Sequence, residues 1–110
     1  YVRKNPTVST ADVAASFQYA VVDVLAAKAR KAAQQIGAKT VALGGGVAAN
    51  SLLRGTMTSV CAESGWRLVL PSMGMCTDNA AMIASAGWYR LVADGPSSMD
   101  MGAMPNLKLT

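Results

Sequence analysis

The feature that most constrains this chain is a run from a short β-prone segment, through consecutive glycines, into a helical pattern: Thr40-Val-Ala-Leu-Gly-Gly-Gly-Val-Ala-Ala-Asn50. A second β-prone segment, Trp66-Arg-Leu-Val-Leu70, follows one helix later and closes at Pro71. Strand, helix, strand in that order means α/β alternation, and strands joined through a helix are expected to run parallel. Two strands alone bury too little surface for a parallel sheet, which needs both faces covered. Further strands are therefore expected from elsewhere in a longer protein or from a partner.

The remaining elements fall around that unit. Residues 1–9 are polar, contain Pro6 and read as a loop. Ser9 and Thr10 are N-cap candidates, with Asp12 in the first turn. Val13, Phe17, Val21, Val24 and Leu25 then recur at helical spacing, which predicts a helix to about Gln35 that packs on this stripe and stops at Gly37. A second helix is expected from about Ala48 to Glu63, stopping at Gly65. Residues 72–77 read as loop. A third helix is expected from near Asp78 to about Ala93, apolar on most faces and so buried on several sides. From Asp94 onward the composition shifts to Gly, Pro, Ser and Met, an irregular tail over 94–110.

At 110 residues the chain holds at most one domain. Its 52% hydrophobic and 15% charged content excludes a disordered segment. So low a charge fits either a segment whose surface is largely covered by something else or a tightly packed alanine-rich domain. No apolar run is long enough to span a bilayer, and the first residues lack the layout of a secretion signal. The chain opens at Tyr1 rather than Met, so the N-terminus is expected to lie further upstream. The two cysteines, Cys61 and Cys76, make neither a disulfide framework nor a zinc site; both are expected reduced and packed, in a cytoplasmic protein. The net charge is +4. Lys28, Arg30 and Lys31 form the main basic cluster, with Arg3 and Lys4 a smaller one. This is compatible with nucleic acid, but complementing a helix C-terminus is the favoured role for the larger cluster.

Glycines between a strand and a helix let the backbone approach a ligand, and the helix N-terminus beyond favours an anion such as phosphate. Asn50, with both donor and acceptor atoms, is placed to read a ribose or base. A tight turn with no ligand is the competing interpretation. The run is neither a Walker A loop nor a dinucleotide fingerprint, because no Gly-Lys-Ser/Thr follows and Ala49 holds the third glycine position. Asp78, in Cys76-Thr-Asp-Asn-Ala-Ala-Met-Ile-Ala84, is either an N-cap bonded to the N–H of Ala80 or Ala81 or a metal ligand at a strand-to-helix corner. Asp12, Asp23, Glu63, Asp94 and Asp100 show no ligand spacing, so a metal would take its other ligands from outside these residues. With no histidine in the chain, Ser-His-Asp and Cys-His arrangements are excluded. Met73, Met75 and Met82 are expected to pack around the Asp78 corner.

Gly45-Gly-Val-Ala-Ala-Asn50 with Leu53-Arg54, and Cys76-Thr-Asp-Asn-Ala-Ala-Met-Ile-Ala84, closely resemble the C-terminal part of the TsaD family. Asp12-Val-Ala-Ala-Ser-Phe-Gln18 with Val21-Val-Asp-Val24 resembles the helix before the glycine motif in that family. The likeness covers about residues 10–93, in order. These are tRNA threonylcarbamoyladenosine transferases, once labelled O-sialoglycoprotein endopeptidases. The resemblance implies a two-lobed, actin- and Hsp70-like nucleotide-binding fold, with residues 1–93 part of the second lobe.

The implied reaction moves a threonylcarbamoyl group from threonylcarbamoyl-AMP to the adenosine following the anticodon in tRNA. An iron or zinc ion is implied to polarise the donor. Asp78 matches the family's carboxylate metal ligand, Asn50 the asparagine that contacts the donor's nucleotide portion, and Gly45 and Gly46 the glycines of the nucleotide cleft. Gly44 stands where the family often has another small residue. The family's histidine ligands, in a His-x-x-x-His motif upstream, are not in this chain, so the chain alone is expected to be inactive and without the metal. A TsaB-like dimer partner and a TsaE-like ATPase are implied, together with an N-terminal lobe of the same protein. The alternatives are the metalloprotease of the old label, for which this segment offers no general base beside Asp78, and a non-catalytic nucleotide-binding paralogue, against which the intact Asp78 motif argues.

Overall fold

In the computed structural model, residues 1–103 and 105 are described. Helix α1 spans Thr10–Gln35, strand β1 Thr40–Ala42, helix α2 Ser51–Ser64, strand β2 Arg67–Val69 and helix α3 Ala80–Asp94. Short 3-10 turns occupy Val2–Lys4, Gly46–Ala49 and Met73–Met75. The result is a mixed α/β arrangement with three helices and a two-stranded sheet among the described residues. The first nine residues, expected as loop throughout, hold the first of those turns. The chain divides into two units, Tyr1–Thr77 and Asp78–Thr110.

The first unit is a strand–helix–strand element with α1 laid against it. β1 and β2 pair in parallel, with Thr40 opposite Arg67, Val41 opposite Leu68 and Ala42 opposite Val69. The ladder extends at both ends through Arg67 N–H to Lys39 O at 2.9 Å and Leu43 N–H to Val69 O at 3.0 Å. Val22 and Ala26 of α1 meet Leu53, Met57 and Cys61 of α2 in one buried cluster. Ala29, Val41, Leu43, Trp66 and Leu68 close around it. Positions 53, 57 and 61 repeat every four residues and so share one helix face.

Helices α1 and α2 stop where the sequence says they should, by hydrogen bonding as well as composition. Ala38 N–H reaches Ala33 O at 2.9 Å beyond α1, and Trp66 N–H reaches Cys61 O at 2.8 Å beyond α2. These are Schellman closures, which satisfy carbonyls that the helix leaves open. At Gly65 the backbone takes φ 67°, ψ 29°, the left-handed conformation that such a closure needs.

Three expectations are corrected here. The face of α1 that packs is Val22, Ala26 and Ala33, whereas Phe17, Val21, Val24 and Leu25 are exposed and Val13 is half-buried. The small side chains let α2 approach closely, so the bulkier stripe is left facing outward. Helix α2 opens at Ser51, not Ala48, because residues 46–49 form a tighter turn first. The basic cluster does not sit at a helix C-terminus: α1 has no basic residue in its last turn. Arg30 instead faces Glu63 of α2 at 4.0 Å, with both side chains largely exposed.

In the second unit, α3 has no buried residue. The expected burial on several sides is not found: Ile83, Trp88, Tyr89 and Val92 are each more than 60% exposed. A helix apolar around its circumference needs partners on every face. No other helix or strand occurs among the described residues of this unit. Residues 95–103 and 105 form no helix or strand. The rest of the segment expected to be irregular, residues 104 and 106–110, lies outside the described residues.

Candidate functional site

The turn after β1 and the loop after β2 leave the same end of the sheet, the carboxyl end of two parallel strands. Open α/β sheets bind their ligands at that end. Gly45 carries the chain around the first turn at φ 79°, ψ 175°, a conformation open to glycine and strained for any other residue. The next residues tighten into a 3-10 turn, with Ala48 N–H to Gly45 O and Asn50 N–H to Val47 O, both at 3.0 Å. No atom lies within 4 Å of where a Cβ would stand on Gly44, Gly45 or Gly46. The turn is therefore an open backbone surface rather than a packed corner. An apolar groove of about 330 Å³ runs beside it, lined by Leu25, Leu43, Val47 and Leu53 among others.

Asn50 stands at the junction of turn and helix. Its Oδ1 accepts from Leu53 N–H at 3.0 Å, which makes it the N-cap of α2. Its Nδ2 donates to Oε1 of Gln18 on α1 at 3.2 Å. The side chain thus ties α1 to the start of α2 while one amide hydrogen stays available. Gln18 lies within the motif that resembles the family's preceding helix, and no spacing or motif marks this pairing in advance.

Arg54, one turn into α2, is the residue whose role sequence reasoning missed. Its Nε donates to Ala48 O at 2.6 Å and its Nη2 to Pro71 O at 2.6 Å. Nη2 also lies 3.4 Å from Cys76 Sγ. One guanidinium therefore joins the turn after β1 to both ends of the loop after β2. The available signal was its place in the motif, four residues after Asn50. Cys76 is buried, and its thiol donates to Ser72 O at 3.4 Å. Cys61 is buried in the core, and burial pushes its thiol pKa up. Both cysteines are free and packed, as expected.

Asp78 is not a helix cap. Asn79 takes that position, accepting from Met82 N–H at 3.0 Å, and α3 begins at Ala80. Asp78 is exposed and makes no hydrogen bond or ion pair among the described residues. Met73, Met75 and Met82, expected as packing, are exposed instead, at 60%, 48% and 45%. No group of three or more His, Cys, Asp or Glu side chains that could hold a metal occurs among the described residues.

The model of the TsaD family, tRNA N6-adenosine threonylcarbamoyltransferase, matches residues 2–85. The chain belongs to the TsaD family. That stretch contains the glycine turn, Asn50, Arg54 and Asp78. Among curated proteins, the tRNA N6-adenosine threonylcarbamoyltransferase of Clostridioides difficile (strain 630) is 45% identical over 106 residues, which is 96% of this chain. The protein of the same name from Dehalococcoides mccartyi (strain CBDB1) is 44% identical over 109 residues, 99% of the chain. The chain spans 31% and 32% of the lengths of these two TsaD relatives.

Proposed function

We propose that the protein carrying this chain transfers a threonylcarbamoyl group from threonylcarbamoyl-AMP to N6 of the adenosine following the anticodon in tRNA. The observation that carries this reading is the family match over residues 2–85. The fold we propose for the whole is the two-lobed, actin-like one, with residues 1–93 in the second lobe and 94–110 as its tail. A TsaB-like partner and a TsaE-like ATPase complete the set, and a tRNA substrate sets the cytoplasm as the working compartment. No helix among the described residues is long and apolar enough to cross a membrane.

In the reaction, the N6 amine adds to the carbamoyl carbon and a C–N bond forms. The C–O bond to AMP breaks, AMP leaves with its electron pair, and the amine gives up a proton. Gly45 and Gly46 present open backbone to the donor's nucleotide portion, and Asn50 offers its remaining amide hydrogen there. The exposed, unpaired carboxylate of Asp78 fits one oxygen ligand of an iron or zinc ion; the remaining ligands come from outside this chain. When bound, that ion supplies Lewis-acid polarisation of the acyl donor.

The test uses the full-length protein, wild type and Asp78→Ala, with threonylcarbamoyl-AMP, partner proteins and tRNA. Modified adenosine is quantified by nucleoside mass spectrometry. Transfer by the wild type, lost in a mutant with unchanged thermal stability, is the expected result. An inactive wild type overturns the reaction, and an active mutant overturns the metal-ligand role. The isolated 110-residue chain is expected to neither transfer nor hold the metal tightly.

A further inference from the structure

We infer that Arg54 is a positioning residue for the transfer reaction: it locks the loop after β2 against the glycine turn after β1 and so holds the backbone of that turn in place. The inference rests on the transferase reading above and goes beyond it, because Arg54 has no ligand role there. Ala48 O and Pro71 O belong to two irregular segments 23 residues apart in sequence, and each lies 2.6 Å from the guanidinium. Cys76 Sγ, 3.4 Å away, adds a third anchor two residues before Asp78.

Arg54 makes no ion pair among the described residues. Its charge is spent on carbonyl dipoles and a sulfur. A rigid planar fork reaches both carbonyls at once, whereas a lysine ammonium is a single point on a flexible stem. The helix supplies the other half of the geometry. Arg54 N–H bonds to Asn50 O at 3.1 Å, so the guanidinium is anchored one turn above the cap that begins α2. One residue therefore registers both loops to the same helix end. With the donor on the glycine turn, the backbone that holds it is fixed against the loop after β2 through Arg54.

The experiment compares full-length wild type, Arg54→Met and Arg54→Lys. Amide hydrogen exchange is followed in residues 44–50 and 71–77, with α1 and the middle of α2 as internal references. Both variants are expected to exchange faster in the two segments and not in the references, and Cys76 is expected to react faster with a thiol reagent. Turnover per folded molecule is expected to fall by about 10²-fold in Arg54→Met, the scale of a misplacement of about 1 Å. The KM for tRNA is expected to stay unchanged, and Arg54→Lys to fall between the two.

A purely structural role would lower the folded fraction and leave turnover per folded molecule intact, which overturns the inference. Unchanged exchange in both segments overturns it as well. A wild type without transfer activity refutes the transferase reading and the catalytic part of this inference together. The exchange data then decide separately whether Arg54 joins the two loops.

Discussion

Asn50 caps α2 and is proposed to contact the donor, and two substitutions at this one position distinguish the two roles. Asn50→Ala removes the cap on Leu53 N–H and the bond to Gln18. Loss of an N-cap costs about 1 kcal/mol, within a range of about 0.5–2. The exposed neutral side-chain hydrogen bond to Gln18 adds about 0.5–1 kcal/mol at most. The sum is about 1.5–2 kcal/mol. Asn50→Asp keeps a carboxylate oxygen for the cap and adds negative charge at a helix N-terminus, favourable by about 0.3–1 kcal/mol. It loses only the donor to Gln18, whose amide can turn to offer its own N–H. Its stability is therefore expected within about 0.5 kcal/mol of wild type. Donor binding is expected to fall in both variants, since a carboxylate offers no hydrogen and repels the donor's phosphate. Denaturant midpoints of the full-length protein, with donor affinity by calorimetry, read both quantities. An Ala variant as stable as wild type refutes the cap. An Asp variant that binds the donor at full strength refutes the nucleotide contact.

Gly45→Ala is expected to cost about 1–3 kcal/mol from backbone strain alone, because no atom crowds the added methyl. Gly46→Ala, without a positive φ, is expected to change stability by less than about 0.5 kcal/mol yet to weaken donor binding, as denaturation and calorimetry on the same pair will show. Cys61 gives a pH signature. Its thiol is raised by burial, so its stabilising contribution is complete below the unfolded thiol's pKa of about 8.5 and is lost as pH rises through the folded value. Denaturant midpoints from pH 7 to 10 are expected to fall more steeply for wild type than for Cys61→Ala; parallel slopes would refute a buried neutral thiol.

Local rules made much of the first unit legible. Ser9 caps α1 through Asp12 N–H, Gly65 closes α2, and both strands lie inside the runs of β-branched and apolar residues that marked them. The failures have a shared cause. Periodicity finds an apolar stripe but does not say which of two stripes meets a neighbour. On α1 the alanine face won because α2 could approach it closely. At residues 46–50, the run of glycines suggested a helix directly after the turn, whereas the Asn50 cap fixes the true start three residues later. Aspartate is a good cap, which makes Asp78 a cap candidate by composition; Asn79, equally suited and one residue closer to the helix, takes the place. Arg54 was invisible because its partners are backbone carbonyls, and those carry no sequence signal.

The two readings of the composition can now be told apart. A self-contained alanine-rich domain would bury most of the chain's 52% hydrophobic residues. The buried residues described here are eight: Val22, Ala26, Ala33, Ala48, Leu53, Met57, Cys61 and Cys76. Phe17, Val24 and Leu25 on α1 and Ile83, Trp88, Tyr89 and Val92 on α3 remain exposed. Single exposed apolar residues are ordinary on protein surfaces; a helix apolar on most faces and exposed along its whole length is not. A parallel sheet of two strands has the same deficit, because such sheets are covered on both faces. The relatives are about three times as long as the stretch matched here. The low charge is therefore best explained by surface that the rest of such a protein covers. Within the first unit the open glycine turn fits that account too: no atom lies within 4 Å of where a Cβ would stand on Gly44, Gly45 or Gly46, so nothing among the described residues covers it.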